Sequence, residues 1–309
     1  MHVTLAQPRG FCAGVTRALD IVERALEAHG APVFVYHEII HNRHVVDDLA
    51  ARGAVFVDDL DAVPFGAVIV FSAHGVGNCT VDEARRRRLH VIDATCPLVA
   101  KVHLQARRYA RDGRVLVIVG HRGHDEVEGT LGTVDDGAYV VADRSDVERL
   151  PVPGDARVAY VTQTTLSLDD TAEVIAALRE RFADLQGPGL GDICYATQNR
   201  QHAVRGLAPS VDLMLVVGSR NSSNSNRLRE LGEQLGVRSY LVEDATEIDP
   251  AWLDGISRIG LTAGASAPES LVEGVVGRLR SLGAVTVVEA PGTRETISFR
   301  LPAGLARSA

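Results

Sequence analysis

The sequence predicts an α/β protein of three lobes, each a parallel sheet flanked by helices, set around a common centre with rough threefold symmetry. Three observations predict it. A helical stripe, an apolar strand and a polar loop recur in the same order three times along 309 residues. One cysteine heads each recurrence: Cys12, Cys96 and Cys194, separated by 84 and then 98 residues. The strands are continuously β-branched rather than alternating, as in parallel sheets covered on both faces.

In the first pass Val15, Ala18, Leu19, Val22, Ala25 and Leu26 follow helical spacing after Cys12, and Gly30 stops the run. The strand Val33-Phe34-Val35-Tyr36 leads to His41-Asn42-Arg43; Val55-Phe56-Val57 is a second strand, and a last strand opens into Ser72-Ala73-His74-Gly75. In the second pass Pro97 suits the first helical position. Val99, Val102, Ala106 and Tyr109 make the stripe, and Gly113 stops it. Val115 to Val119 runs into His121 to Glu126; Tyr139-Val140-Val141 follows, and then the loop Thr162-Gln163-Thr164-Thr165. In the third pass Ala203, Val204 and Leu207 share a face before Pro209. Leu213 to Val217 leads to the run from Ser219 to Asn226; Tyr240-Leu241-Val242 precedes Thr262-Ala263-Gly264-Ala265-Ser266. The lobes are expected at 1–95, including an N-terminal strand, at 96–193 and at 194–281. Residues 282–309 are expected as a C-terminal extension packing back on the first lobe. Ligands of open parallel sheets bind beyond the carboxyl ends of the strands, which is where all these polar loops lie.

An apolar fraction of 46% and a formal net charge of −8 describe a globular protein and argue against nucleic acid as a partner. The run Arg85 to Arg88 reads as a solvated helix face beside Asp82 and Glu83. No apolar run approaches the ~20 residues of a membrane span, so no membrane partner is expected. The start, Met1 to Pro8, lacks the pattern of a signal peptide. A cytoplasmic location is expected, where free cysteines point to metal binding or catalysis rather than disulfides.

Zinc sites usually draw on close cysteine pairs, and none occurs here. Three thiolates, one from each lobe, suit a cubane [4Fe–4S] cluster with one iron lacking a protein ligand and open to substrate; the ordinary cluster has four cysteines. Air could strip that iron and leave a [3Fe–4S] form. Helix N-termini beside the thiolates favour negative charge. Cys79 occupies no repeat position and reads as structural or incidental.

The loops carry His41, His74 and His124 with Thr164, Thr165, Ser222, Ser223, Asn224 and Ser266. Nearly all can donate hydrogen bonds, and donors at helix N-termini form a phosphate pocket without lysine. Lys101 is the only lysine, which excludes a P-loop. His37, His44 and His121 match the repeats less well. Glu126, a carboxylate embedded in such a loop, suits a proton donor, with Glu128 as its rival.

The motifs Pro8-Arg9-Gly10-Phe11-Cys12-Ala13-Gly14-Val15, Phe71 to Val76, Asp93 to Val99, Gly120 to Thr130, Thr162 to Ser167, Asp192 to Thr197, Gly218 to Asn226 and Thr262 to Pro268 resemble the 4-hydroxy-3-methylbut-2-enyl diphosphate reductase family. The match covers about residues 3 to 300, with every motif in order. The resemblance implies a trefoil of three α/β lobes and an iron–sulfur enzyme that reductively dehydroxylates an allylic diphosphate to isopentenyl and dimethylallyl diphosphates. This is the last step of the non-mevalonate pathway. It implies Cys12, Cys96 and Cys194 as cluster ligands, and His41, His74, His124, Ser222, Ser223, Asn224 and Ser266 at the diphosphate. Glu126 would serve proton delivery and Thr164 the substrate hydroxyl. The open iron would bind the substrate oxygen, with ferredoxin or flavodoxin as electron donor. Two other readings stand beside it: a three-cysteine iron–sulfur enzyme like quinolinate synthase, and a non-catalytic zinc-binding module.

Overall fold

The computed structural model describes residues 1–135 and 137–305, which group into two compact units. One comprises Met1–Val15, His41–Val45 and Tyr195–Ile297; the other comprises Thr16–Ile40, Val46–Cys194 and the chain from Ser298.

The chain opens with β1 (His2–Leu5) and α1 (Ala13–His29). Then follow β2 (Val33–Tyr36), α2 (Arg43–Ala51), β3 (Ala54–Val57), β4 (Val68–Phe71), α3 (Asn78–Arg86) and β5 (His90–Asp93). These four strands form a parallel sheet in the order β3-β2-β4-β5. Next come α4 (Pro97–Arg111), β6 (Val115–Val119), α5 (Asp125–Leu131), β7 (Ala138–Val141), α6 (Arg144–Arg149), β8 (Arg157–Thr162), α7 (Leu168–Arg181) and β9 (Asp184–Gln186). Their sheet is β7-β6-β8-β9, again parallel throughout. Both belong to the second unit. The first unit holds α8 (Tyr195–Leu207), β10 (Leu213–Val217), α9 (Ser223–Gln234), β11 (Arg238–Val242), β12 (Arg258–Ala263), α10 (Glu269–Ser281) and β13 (Thr286–Glu289). Its parallel sheet is β11-β10-β12-β1-β13.

Local chemistry explains these elements. Pro97 follows Cys96 at the start of α4, and Val99, Val102 and Ala106 are buried along its stripe. Gly113 adopts φ +70 just beyond that helix, a conformation that favours glycine. The five residues of β10 are all buried, with Leu213, Leu215 and Val217 in one core and Met214 and Val216 in another. Apolar side chains on both strand faces need cover on both sides, which is why the run carries no polar alternation.

Each sheet has its second strand outside its first and its third strand on the other side. The order of strands therefore switches side between the first and third strands, and at such a switch point ligands bind beside the loops leaving those two strands. The expected N-terminal strand of segment 1–95 requires correction: β1 lies in the third sheet, between β12 and β13. Val3 and Leu5 enter the core built by Leu213, Leu261 and Val275, and Ala6 enters the core on the other face. A four-residue strand encodes burial but not its partner, and nearness along the chain is a weak guide to pairing. The final segment also departs from a simple return onto the first lobe. Strand β13 completes the third sheet beside β1, while farther on the Arg17 and Arg24 side chains of α1 donate to the carbonyls of Arg300 and Leu305. Arg85, Arg86 and Arg88 are exposed as expected, and Arg85 pairs with Asp82 at 2.6 Å; Arg87 is instead 14% exposed and pairs with Glu83 at 2.8 Å and with Asp61.

Candidate functional site

The predicted site residues fall at matched places in the three sheets. His41, His124 and Ser222 are each the fifth residue after the first strand, counting from Tyr36, Val119 and Val217. His74 and Ser266 are each the third residue after the third strand, counting from Phe71 and Ala263. Thr165 holds that place in the second sheet, one residue beyond Thr164.

Each cysteine immediately precedes a helix: Cys12 before α1, Cys96 before α4 and Cys194 before α8. Each follows the strand that lies next to the third one, β1, β5 or β9. The position of β1 in the third sheet thus gives Cys12 the same setting as the other two. The cysteine amides repeat one bond. Cys12 N donates to Ala265 O at 3.2 Å, Cys96 N to Ala73 O at 3.0 Å and Cys194 N to Thr164 O at 3.0 Å. Every acceptor is the second residue beyond the third strand. None of the three is in a disulfide and all are half-buried, whereas Cys79, also outside any disulfide, is exposed on α3. Three soft donors on fixed backbone, none consumed in a disulfide, fit an iron–sulfur cluster.

In the second unit, Glu126 and Thr164 come together. Glu126 is 2% exposed, in the first turn of α5. Its Oε1 accepts from Thr164 N at 2.7 Å and its Oε2 from the Thr164 hydroxyl at 2.9 Å. His124 caps α5, its Nδ1 accepting from Glu126 N at 3.2 Å. A neutral ring held this way carries its proton on Nε2 and can donate from there. His74 and His124 meet edge to face with centroids 5.9 Å apart, and His74 Nδ1 lies 3.7 Å from Asp125. Glu128 is exposed instead and accepts from Gly123 N at 2.8 Å, which holds the loop.

In the first unit, Ser222 caps α9, its hydroxyl accepting from Ser225 N at 3.4 Å. The Ser222 and Ser266 hydroxyls are 3.4 Å apart, and Ser266 donates to His41 O at 3.0 Å. Ser223 begins α9. Asn224, 4% exposed, has no partner for either side-chain polar atom, although a buried amide without hydrogen bonds is costly. Donors at the start of a helix favour an anion there. Asn224→Ala is therefore expected to raise KM roughly 10- to 100-fold, the worth of one hydrogen bond to a charged ligand. It should leave the melting temperature essentially unchanged, because the amide holds nothing within the chain; steady-state kinetics and thermal unfolding check both.

Several supporting residues escaped the sequence reading. Ser225, fully buried, fits where Gly218 and Gly264 lack side chains; a Cβ on either would meet its hydroxyl at 2.2 or 2.0 Å. The pairing of small residues at two strand ends with a serine was a usable signal. Gln163 accepts from His121 N at 3.1 Å and donates to the Thr165 hydroxyl at 2.9 Å. Asp192, raised by burial above the usual carboxylate range, accepts from Thr162 N at 3.3 Å. His103 of α4 packs beneath Gly75, where a Cβ would meet its ring at 2.7 Å. Burial first, and the Arg107 charge second, lower its pKa to about 4 against the pull of Asp93. The ring is thus neutral in both folded and unfolded chains above pH 6.5. As pH falls from 6.5 toward 4 only the unfolded chain takes up the proton, so stability declines. Urea unfolding at pH 7 and pH 4.5 is expected to show a His103 contribution on the order of 3 kcal/mol, absent in His103→Gln.

The family model described as LytB protein matches residues 3–280 of this chain. The 4-hydroxy-3-methylbut-2-enyl diphosphate reductase of Zymomonas mobilis is 60% identical over 98% of this chain and 89% of its own. The enzyme of the same name from Bordetella pertussis is 60% identical over 99% and 94%. Among solved structures, the E-1-hydroxy-2-methyl-but-2-enyl-4-diphosphate reductase from Plasmodium falciparum superposes with a TM-score of 0.95 at 36% identity, covering 98% of this chain and 96% of that one.

Proposed function

The chain belongs to the LytB family, and from that premise we propose that it reductively dehydroxylates 4-hydroxy-3-methylbut-2-enyl diphosphate to isopentenyl and dimethylallyl diphosphates. This is the last step of the non-mevalonate isoprenoid pathway, and the protein is an iron–sulfur oxidoreductase. Cys12, Cys96 and Cys194 hold the cluster, a [4Fe–4S] group with one iron free of protein ligands. The observation that carries this reading is the repeated cysteine setting, with one amide bond to the same loop position in each of three sheets.

When bound, the cluster supplies two electrons, one at a time, and a Lewis-acidic iron for the substrate hydroxyl oxygen. The chain supplies the rest. His41, His74, His124, Ser222, Ser223, Asn224 and Ser266 take the diphosphate by donated hydrogen bonds. Thr164 orients the substrate hydroxyl, and Glu126 passes a proton toward it through the Thr164 hydroxyl that it already contacts. Two electrons and two protons are consumed: the C–O bond breaks, the hydroxyl leaves as water, and a proton adds to one end of the allyl unit. Either end can take it, hence two products. Ferredoxin or flavodoxin delivers the electrons. No helix among the described residues is long and apolar enough to cross a membrane, and we assign the reaction to the cytoplasm.

Iron and sulfide counting on anaerobically prepared protein, with EPR before and after adding the substrate, tests the reading. Expected are iron and acid-labile sulfide in equal amounts, a signal that changes with substrate, and both products under a reductant. Colourless protein holding stoichiometric zinc would overturn it.

A further inference from the structure

Each helix that begins at a cysteine carries a cation five or six residues on, and that cation binds the backbone ahead of the next cysteine. Arg17 of α1, five residues after Cys12, donates to Ala94 O at 3.2 Å and Thr95 O at 3.0 Å, the two carbonyls preceding Cys96. Lys101 of α4, five residues after Cys96, donates to Gly191 O at 2.9 Å, three residues before Cys194. Arg200 of α8, six residues after Cys194, donates to Gly10 O at 2.6 Å and Phe11 O at 3.4 Å, the two carbonyls preceding Cys12. The loops between a strand and its following helix leave carbonyls that neither element satisfies, and in all three cases a cation from the preceding cysteine helix takes them up.

We propose that Arg17, Lys101 and Arg200 are positioning residues for the three cysteine ligands, each cation locking the loop that presents the next thiolate. The proposal rests on the ligand assignment made above. Every cysteine is then fixed from two sides: its own amide is bonded to the loop beyond the third strand, and the peptides ahead of it are bonded to a cation. These bonds go to the backbone ahead of the cysteine, so the effect is on where the sulfur is held and on the charge beside it. Among the described residues Arg17 pairs with no carboxylate, so its charge acts undiminished near Cys96. Arg200 is wholly buried and paired with Glu295 at 3.0 Å. Its removal leaves a carboxylate stranded and threatens the fold, which makes Arg17 the most informative position. Lys101 is 49% exposed, so its replacement opens no cavity, but its ammonium also lies 3.6 Å from the buried Asp192 carboxylate, which Lys101→Met leaves without that cation.

The test uses protein reconstituted anaerobically with iron and sulfide, in the absence of substrate. Arg17→Met and Lys101→Met are expected to lose iron to a chelator roughly 10- to 100-fold faster than the natural chain, the usual effect of removing a partner that orients a metal ligand. Arg17→Lys and Lys101→Arg should return the rate close to that of the natural chain. The cluster-free Arg17→Met and Arg17→Lys chains should melt at closely similar temperatures, so that a difference in their iron loss reports ligand positioning rather than a general loss of stability. An EPR-monitored redox titration should place the midpoint potential of Arg17→Met below that of the natural chain and of Arg17→Lys, because removing a positive charge disfavours the added electron. Natural rates of iron loss in both Met variants overturn the proposal. A natural chain that takes up no iron or sulfide overturns the ligand assignment itself, a separate and recognisable result.

Discussion

A Cys96→Ser chain, isolated without oxygen, is expected to retain little iron and to lose more than about 100-fold in turnover, beyond the range seen when only an outer partner of a metal ligand is removed. The fold should survive. Cys96 contributes to its surroundings mainly through its backbone: the amide donates to Ala73 O at 3.0 Å, and the residue stands at the N-cap of α4, with Pro97 next in the helix. Serine keeps that amide and is among the best N-cap residues, so the melting temperature of the cluster-free chain should not fall. The two outcomes together separate a ligand from a structural thiol. Cys79→Ser supplies the contrast. Its side chain is exposed on α3, outside the repeated setting, and iron content and turnover should match the natural chain. Full iron content in Cys96→Ser would remove the basis of the cluster assignment.

The second large effect is expected at Glu126. Replacement by glutamine should lower kcat roughly 100- to 10,000-fold, the contribution of a positioned proton donor, while KM stays within a few-fold. Glutamine matches the shape of a carboxyl group buried at 2% exposure. Its carbonyl oxygen can still accept from Thr164 N, the shorter of the two bonds at 2.7 Å. The Thr164 hydroxyl, now beside an amide nitrogen, can turn and accept. Geometry is thus kept and the transferable proton is lost. Thr164→Val should have an effect of similar size: the amide bond to Glu126 survives, but the hydroxyl that relays the proton is lost. Glu128→Gln should be nearly silent, since that carboxylate is exposed and only holds the Gly123 amide. Rapid-quench measurement of a single turnover distinguishes these cases from slow product release. Undiminished turnover in Glu126→Gln would show that the proton reaches the substrate by another route.

Much of this molecule is legible along the chain, where the controlling forces act between near neighbours. The stripe after Cys96, the proline that starts its helix and the glycine beyond its end follow from helix geometry and backbone sterics. The wholly apolar β10 announces a strand buried on both faces. His41, His124 and Ser222 could be matched from repeat order because each polar loop has the same length. Glu126 and Thr164 could each be placed in a polar loop, but their pairing could not, because its two hydrogen bonds depend on a contact spanning 38 residues. The place of β1 was not legible at all. Four residues with Val3 and Leu5 facing a core would suit any of the three sheets, and the choice follows from which partner completes both cores at once. Ser225, Gln163, Arg17 and Arg200 were overlooked for the same reason. Serine, glutamine and arginine are common on surfaces, and a pattern along the chain shows residue chemistry and local shape. Which backbone carbonyl or glycine gap each one meets is set by packing between distant segments, and only the tertiary structure holds that information.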